Sequence, residues 1–291
     1  MAAQAEVRPA IRPLPGLSLI LLAAAAADVV IGIVTNRVLN GDLDLSPARF
    51  VFQLPDAMPF VLAASLVSGA AHWPAARRWL GAACVVFVAA GTLNAAGQIV
   101  LALTWPPHFD CGGLAADILP LAAFGAIAAP FGPLLAAIGL WQAGTTMHRT
   151  GVRFLAVATA AAVATLVLAV RSLIAFSSLS FLAYGVTHEP FPGAAAITAI
   201  VDTVGGAMVA VLAVAAAWAI PRRYVIPEVL IAVGGLVAAI ASTTALVGLL
   251  LAARAPAGYG WIGATGYFEL LGLLSVALGF FTARISVPGE G

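Results

Sequence analysis

Lysine is absent from this chain; all thirteen basic residues are arginine. That excludes chemistry built on a lysine Schiff base, retinal attachment included, or on a phosphate-loop lysine. Charge of either sign is scarce, at 9% of 291 residues, where a water-soluble domain carries about a quarter. A net charge of +1 supplies no basic face for nucleic acid. Cysteine is limited to Cys84 and Cys111, and there is no CxxC or Cys/His cluster to hold zinc or an iron–sulfur centre. The two lie near opposite ends of one apolar segment, separated by about 30 Å of bilayer, so they cannot pair. The four histidines, His72, His108, His148 and His188, all fall at segment boundaries, which leaves haem ligation inside a bundle without residues. No metal or cofactor is expected.

What is abundant is apolar: 63% of residues, with a mean hydropathy of +1.08. The expected fold class is all-α, a polytopic membrane bundle. A spanning helix needs about 20 mostly apolar residues, and eight segments qualify, roughly 17–35, 50–72, 80–103, 114–141, 153–184, 194–220, 227–252 and 261–282. Residues 1–16 and 283–291 are then short tails. The second segment is the weakest, interrupted by Pro55, Asp56 and Pro59, and Pro130, Gly132 and Pro133 should kink the fourth. The first segment imitates a secretory signal up to Ala27, but its apolar run resumes after Asp28, which favours an uncleaved first helix. The stretch from Asn36 to Asp56 alternates polar and apolar residues and suits a short interfacial helix.

With eight spans, Arg8, Arg12, Arg77, Arg78, Arg149, Arg153, Arg222, Arg223 and Arg284 all fall on one side, leaving Arg37, Arg49 and Arg254 opposite. The positive-inside rule places the first set, and both termini, in the cytoplasm. Trp73, Trp79, Trp141 and Trp218 fall at inner ends and Trp105 and Trp261 at outer ends, as interfacial anchors do. The Ala-rich, all-Arg usage suggests a bacterial plasma membrane protein.

Ionisable groups inside spans cost several kcal/mol unless paired or hydrated. They are Asp28, Asp117, Arg171, Asp202 and Glu269, accompanied by the amides Asn94 and Gln98 and the hydroxyls Thr198, Ser242, Thr244 and Thr265. Counted from the outer helix ends, Asp28, Asn94, Asp202, Thr244 and Glu269 lie about 10–14 Å deep at 1.5 Å per residue, with Arg171 near the midplane. This polar slab in one leaflet predicts an outward-facing cavity, in which four carboxylates outnumber one guanidinium. Thr198, Asp202, Gly205 and Thr265, Glu269, Gly272 repeat the spacing T-x-x-x-[D/E]-x-x-G, consistent with a repeated hairpin or two parallel four-helix halves.

Three functions fit. The first is a transporter or permease for a small solute or cation, coupled to protons or a cation through Asp28, Asp202 and Glu269. The second is a non-catalytic membrane subunit or sensor, joined helix to helix with partner subunits or with a second copy. The third is an intramembrane enzyme using a carboxylic acid as general acid on a lipid or isoprenoid.

Overall fold

The computed structural model describes residues 10–11, 15–40, 47–104, 125, 127–146, 152–187, 192–220, 225–252, 257–283 and 285–286. These form eight long helices: α1 (Gly16–Asn40), α2 (Pro47–Gly69), α3 (Arg77–Thr104), α4 (Phe131–Thr146), α5 (Val152–Thr187), α6 (Pro192–Ala219), α7 (Ile226–Ala252) and α8 (Ala257–Thr282). Prolines punctuate them where a missing N–H costs least: Pro47 and Pro192 open α2 and α6, and a 3-10 turn, Pro74–Ala76, leads into α3. Among the described residues, five helical stretches are long and apolar enough to cross a membrane: Gly16–Thr35, Pro74–Val100, Arg153–Arg171, Ile226–Thr244 and Thr265–Thr282. The chain is therefore a helical protein with several membrane-compatible spans.

Three expectations change. The stretch from Asn36 to Asp56 is not a separate interfacial helix: it forms the end of α1 and the start of α2, with 41–46 between them outside the described residues. Helix α2 continues through Pro55 and Pro59. Trp73 is no interfacial anchor, because it is 1% exposed and packs edge-on against Phe280 at 5.7 Å. The turn at Ala129 and Pro130, closed by Gly132 N–H donating to the Ala129 carbonyl at 3.1 Å, stands where the fourth segment's kink was expected.

The bundle is turned inside out relative to a soluble protein. Leu19, Ile20 and Val30 of α1, Val157, Val163 and Val167 of α5, and Phe268 and Leu271 of α8 are exposed, an apolar exterior suited to lipid. The largest fully buried side chains, among them Trp73, Leu80, Leu140, Ile220 and Phe280, cluster at the end where α2, α4, α6 and α8 finish. At that end Ala10 and Ile11 also pair antiparallel with Ser286 and Ile285, so the two terminal segments lie together.

Helix neighbours repeat. In the first four helices α1 packs on α2 and α3, α2 on α3, and α3 on α4; in the last four α5 packs on α6 and α7, α6 on α7, and α7 on α8. The halves join through two further pairs, α4 with α6 and α8 with α2, which exchange under the same correspondence. The pattern follows the four-helix repeat, not the hairpin repeat. Sequence traces of it are Trp73, Arg77, Arg78, Trp79 after α2 and Trp218, Arg222, Arg223, Tyr224 after α6, both W-x-x-x-R-R-aromatic.

The closest helix pair is α7 with α8. A methyl group on Gly272 would lie 2.5 Å from the Ala238 nitrogen and 2.6 Å from the Gly234 carbonyl. Backbone contact of this kind is how helices gain dispersion energy in lipid. Gly272→Leu should lower the thermal unfolding temperature in detergent, with an overpacking cost of about 1–3 kcal/mol. Gly266→Ala, with open space around it, should leave that temperature unchanged or raise it slightly, since alanine is the better helix former.

Candidate functional site

The site grows from one helical turn on each of three neighbouring helices. On α1, Asp28 precedes Gly32 by one turn; on α2, Gln53 precedes Asp56 by three residues; on α3, Asn94 precedes Gln98 by one turn. Each spacing keeps its pair on one helical face. Because α1, α2 and α3 pack mutually, these faces meet.

Gly32 makes the approach possible. A side chain there would collide with the Gln53 amide and come within 3.3 Å of Gln98 Oε1, so the bare helix surface accommodates both glutamines. Thr35, one turn further along, donates from Oγ1 to the Gln98 carbonyl at 3.4 Å. Ser18, toward the other end of α1, ties it to α2 by donating to the Ala64 carbonyl at 2.9 Å. On α3, Gly91 accepts the Phe60 ring of α2, which lies 2.8 Å from where a Cβ would stand. The ring gives the polar cluster an apolar floor. Pro55 and Pro59 lack N–H groups, which deprives the carbonyls of Val51 and Pro55 of their helical donors beside Asp56.

Two carboxylates face each other across this junction. Asp56 accepts side-chain hydrogen bonds from Asn94 and Gln98, and its charge acts on Asp28. Asp28 is 2% exposed. Neither of its oxygens has a donor among the described residues, and Gln98 Oε1 has none either. Three buried acceptors without donors carry a desolvation cost of about 1–3 kcal/mol each, incurred in one place. No ion pair from Arg or His reaches Asp28 or Asp56 among the described residues. A cluster this rich in oxygen acceptors has the chemistry to accept a proton or a hard cation.

The remaining sequence-selected residues are elsewhere. Arg171 is exposed on α5, a helix whose neighbours are α6 and α7. It stands near the middle of α5, which runs Val152–Thr187. Glu269, half-buried, and Thr265, buried, lie on α8, which packs on α7 and α2. Ser242 of α7 meets Gly206 of α6, with its Oγ 2.9 Å from where a Cβ would stand, and Thr244 donates to the Ile240 carbonyl at 2.9 Å. Asp117 lies outside the described residues, as do the side chains of Thr198 and Asp202. Sequence reasoning therefore selected Asp28, Asn94 and Gln98 but omitted Asp56, Gln53, Gly32 and Thr35 from the site. The available signal was Gln53-x-x-Asp56, with Pro55 and Pro59 on either side of the acid, which reads as a defect in a weak span.

No protein-family model, curated protein or solved structure matches the chain. The site therefore stands on its own geometry. Asp56→Leu should lower thermal stability in detergent by about 1–3 kcal/mol, because it strips the Asn94 and Gln98 amides of their acceptor. Asp28→Asn, which brings donors to a place that lacks them, should leave stability unchanged or raise it.

Proposed function

We propose that the protein is an integral membrane permease for a small cation, coupled to protons or moved as one, with Asp28 and Asp56 as its binding pair. The observation that carries this reading is the cluster of buried acceptors, both oxygens of Asp28 and Gln98 Oε1, beside a second carboxylate and, among the described residues, with no basic side chain paired to either acid. A structural role would be served by an arginine partner or by apolar replacement. An exchangeable cation or proton instead needs acceptors that the protein leaves free. Asn94 and Gln98 hold Asp56 in place, and Asp28 is the group whose partner changes during the cycle. The repeated helix-contact pattern supports the same reading, since two similar halves meeting along α2–α8 and α4–α6 can rock about those contacts.

In this reading all eight helices span the bacterial plasma membrane, with residues 1–16 and 283–291 in the cytoplasm and the Asp28 cluster in the outer half. The distribution of nine arginines and the pairing of the two terminal segments support that orientation. In a chain carrying Cys84→Ala and Cys111→Ala, a membrane-impermeant maleimide applied to intact cells should label Asp44→Cys and spare Ala75→Cys. The reverse pattern would invert the orientation.

For transport, purified protein in liposomes with an entrapped pH dye is driven by an imposed proton or Na⁺ gradient. Wild-type vesicles should exceed empty ones, and Asp28→Asn and Asp56→Asn should each reduce the initial rate about tenfold or more, a cost of about 1.4 kcal/mol or greater. Asn94→Ala should cost less. Rates in both aspartate variants equal to wild type would overturn the assignment.

A further inference from the structure

The end of the bundle opposite the Asp28 cluster holds a second polar group that the permease reading has not used. His72 follows the last turn of α2, its N–H donating to the Gly69 carbonyl at 2.9 Å. Its Nε2 stands 3.9 Å from Glu228 Oε1 on the first turn of α7. The contact crosses from the first four helices to the last four.

The two partners differ sharply in their access to water. The His72 side chain is 29% exposed, whereas Glu228 is 3% exposed and its Oε2 has no donor among the described residues. An acid on the first turn of a helix is ordinary when it sits in solvent and complements the helix dipole. A buried acid there, with one oxygen unmatched, incurs a desolvation cost that the dipole alone does not explain. One turn before His72 on α2, Ser68 is also buried with its hydroxyl unmatched, which extends the polar face inward.

The described surroundings fix the geometry. Trp73 stands edge-on to His72 at 4.7 Å and 88° and is itself backed by Phe280 of α8. On α8, Gly279 comes so close to α7 that a methyl group would lie 2.7 Å from the Pro227 carbonyl. The nearest cations in sequence on the described residues are Arg77 and Arg78 at the start of α3, both exposed. Arg222, Arg223 and Arg284 lie outside the described residues.

We propose that His72 and Glu228 form a proton-exchange site at the cytoplasmic mouth, with His72 as the relay between water and the buried carboxylate. A proton from water adds to the solvent-side nitrogen of the imidazole. Once the 3.9 Å gap closes to hydrogen-bond distance or is bridged by one water, the Nε2–H bond breaks as an O–H bond forms on Glu228, and the ring returns to neutrality; release follows the reverse order. Imidazole suits the task because it exchanges protons near neutral pH. Along α2, its last residue Gly69 lies about 20 Å from Asp56 at 1.5 Å per residue, and His72 follows it, so the two sites serve opposite mouths. The assignment of the mouth rests on the proposed orientation, and the link to flux rests on the permease reading.

The test is chemical rescue. In liposomes, His72→Gln should reduce proton-linked flux about tenfold, and imidazole added on the His72 side should restore it with rising concentration, while addition on the opposite side should not. Glu228→Gln should lose flux without rescue. Both variants must elute from size exclusion as wild type does. Undiminished flux in His72→Gln, or a loss that imidazole leaves unchanged, overturns the relay while leaving Asp28 and Asp56 as the pair.

If wild-type vesicles show no flux, the permease reading fails and the relay is read in detergent by infrared spectroscopy. The protonated-carboxyl band lost in Glu228→Gln should exchange with deuterium about tenfold more slowly in His72→Gln. Equal exchange rates, or no such band across the pH range where the protein stays folded, would overturn the proposal.

Discussion

Apolar surface gains nothing by leaving hydrocarbon, so helices in a membrane associate only as closely as their shapes allow. Every other feature of this bundle depends on that constraint. Glycine and alanine occupy the contact lines: Gly234 and Gly272 bring α7 and α8 to backbone distance, and Gly235 meets Ala213 of α6. The buried core is correspondingly rich in alanine. Close approach has a second effect, because where backbones meet there is no room for lipid or for long side chains. Polar groups can then persist only where small residues open a pocket for them. Gly32 does this for Gln53 and Gln98.

Helix α2 is the member on which the two polar regions converge. Its first half presents Asp56 toward α1 and α3. Its last turn and the residues after it present Ser68, His72 and Trp73 toward α7 and α8. These groups lie on different sides of one helix, so a rotation or tilt of α2 alters both at once. The prolines that weaken its apolar pattern, Pro55 and Pro59, lie beside the acidic cluster, where the freed carbonyls favour positive charge and where bending costs least. A helix designed only to be stable would have neither proline.

Much of the fold was legible because membrane helices are specified by length and apolarity, and both can be counted. The boundaries of seven segments fall within a few residues of the observed helices. The fourth segment began where the chain lies outside the described residues, and only its second part, α4, is described. The site was legible in part. Asp28, Asn94 and Gln98 stand out because each is polar within an otherwise apolar run. Asp56 did not, since two prolines made its whole segment look marginal, and Gln53 fell in a stretch read as loop. Glu228 was missed because an acid at a span's edge reads as solvated until the neighbouring helix is seen to cover it.

The two terminal segments pair at the end where α4 gives way to α5. Taken with the repeating helix contacts, this makes the chain close to a ring of eight helices cut between α8 and α1, when a cut between α4 and α5 would serve as well. A circular permutant beginning at α5 and ending at α4, with its old ends joined, has the same neighbours throughout. The halves then differ in their polar side chains, carboxylates and amides on α1 to α3 against mainly hydroxyls among the described side chains of α6 and α7, and not in the order in which their helices pack.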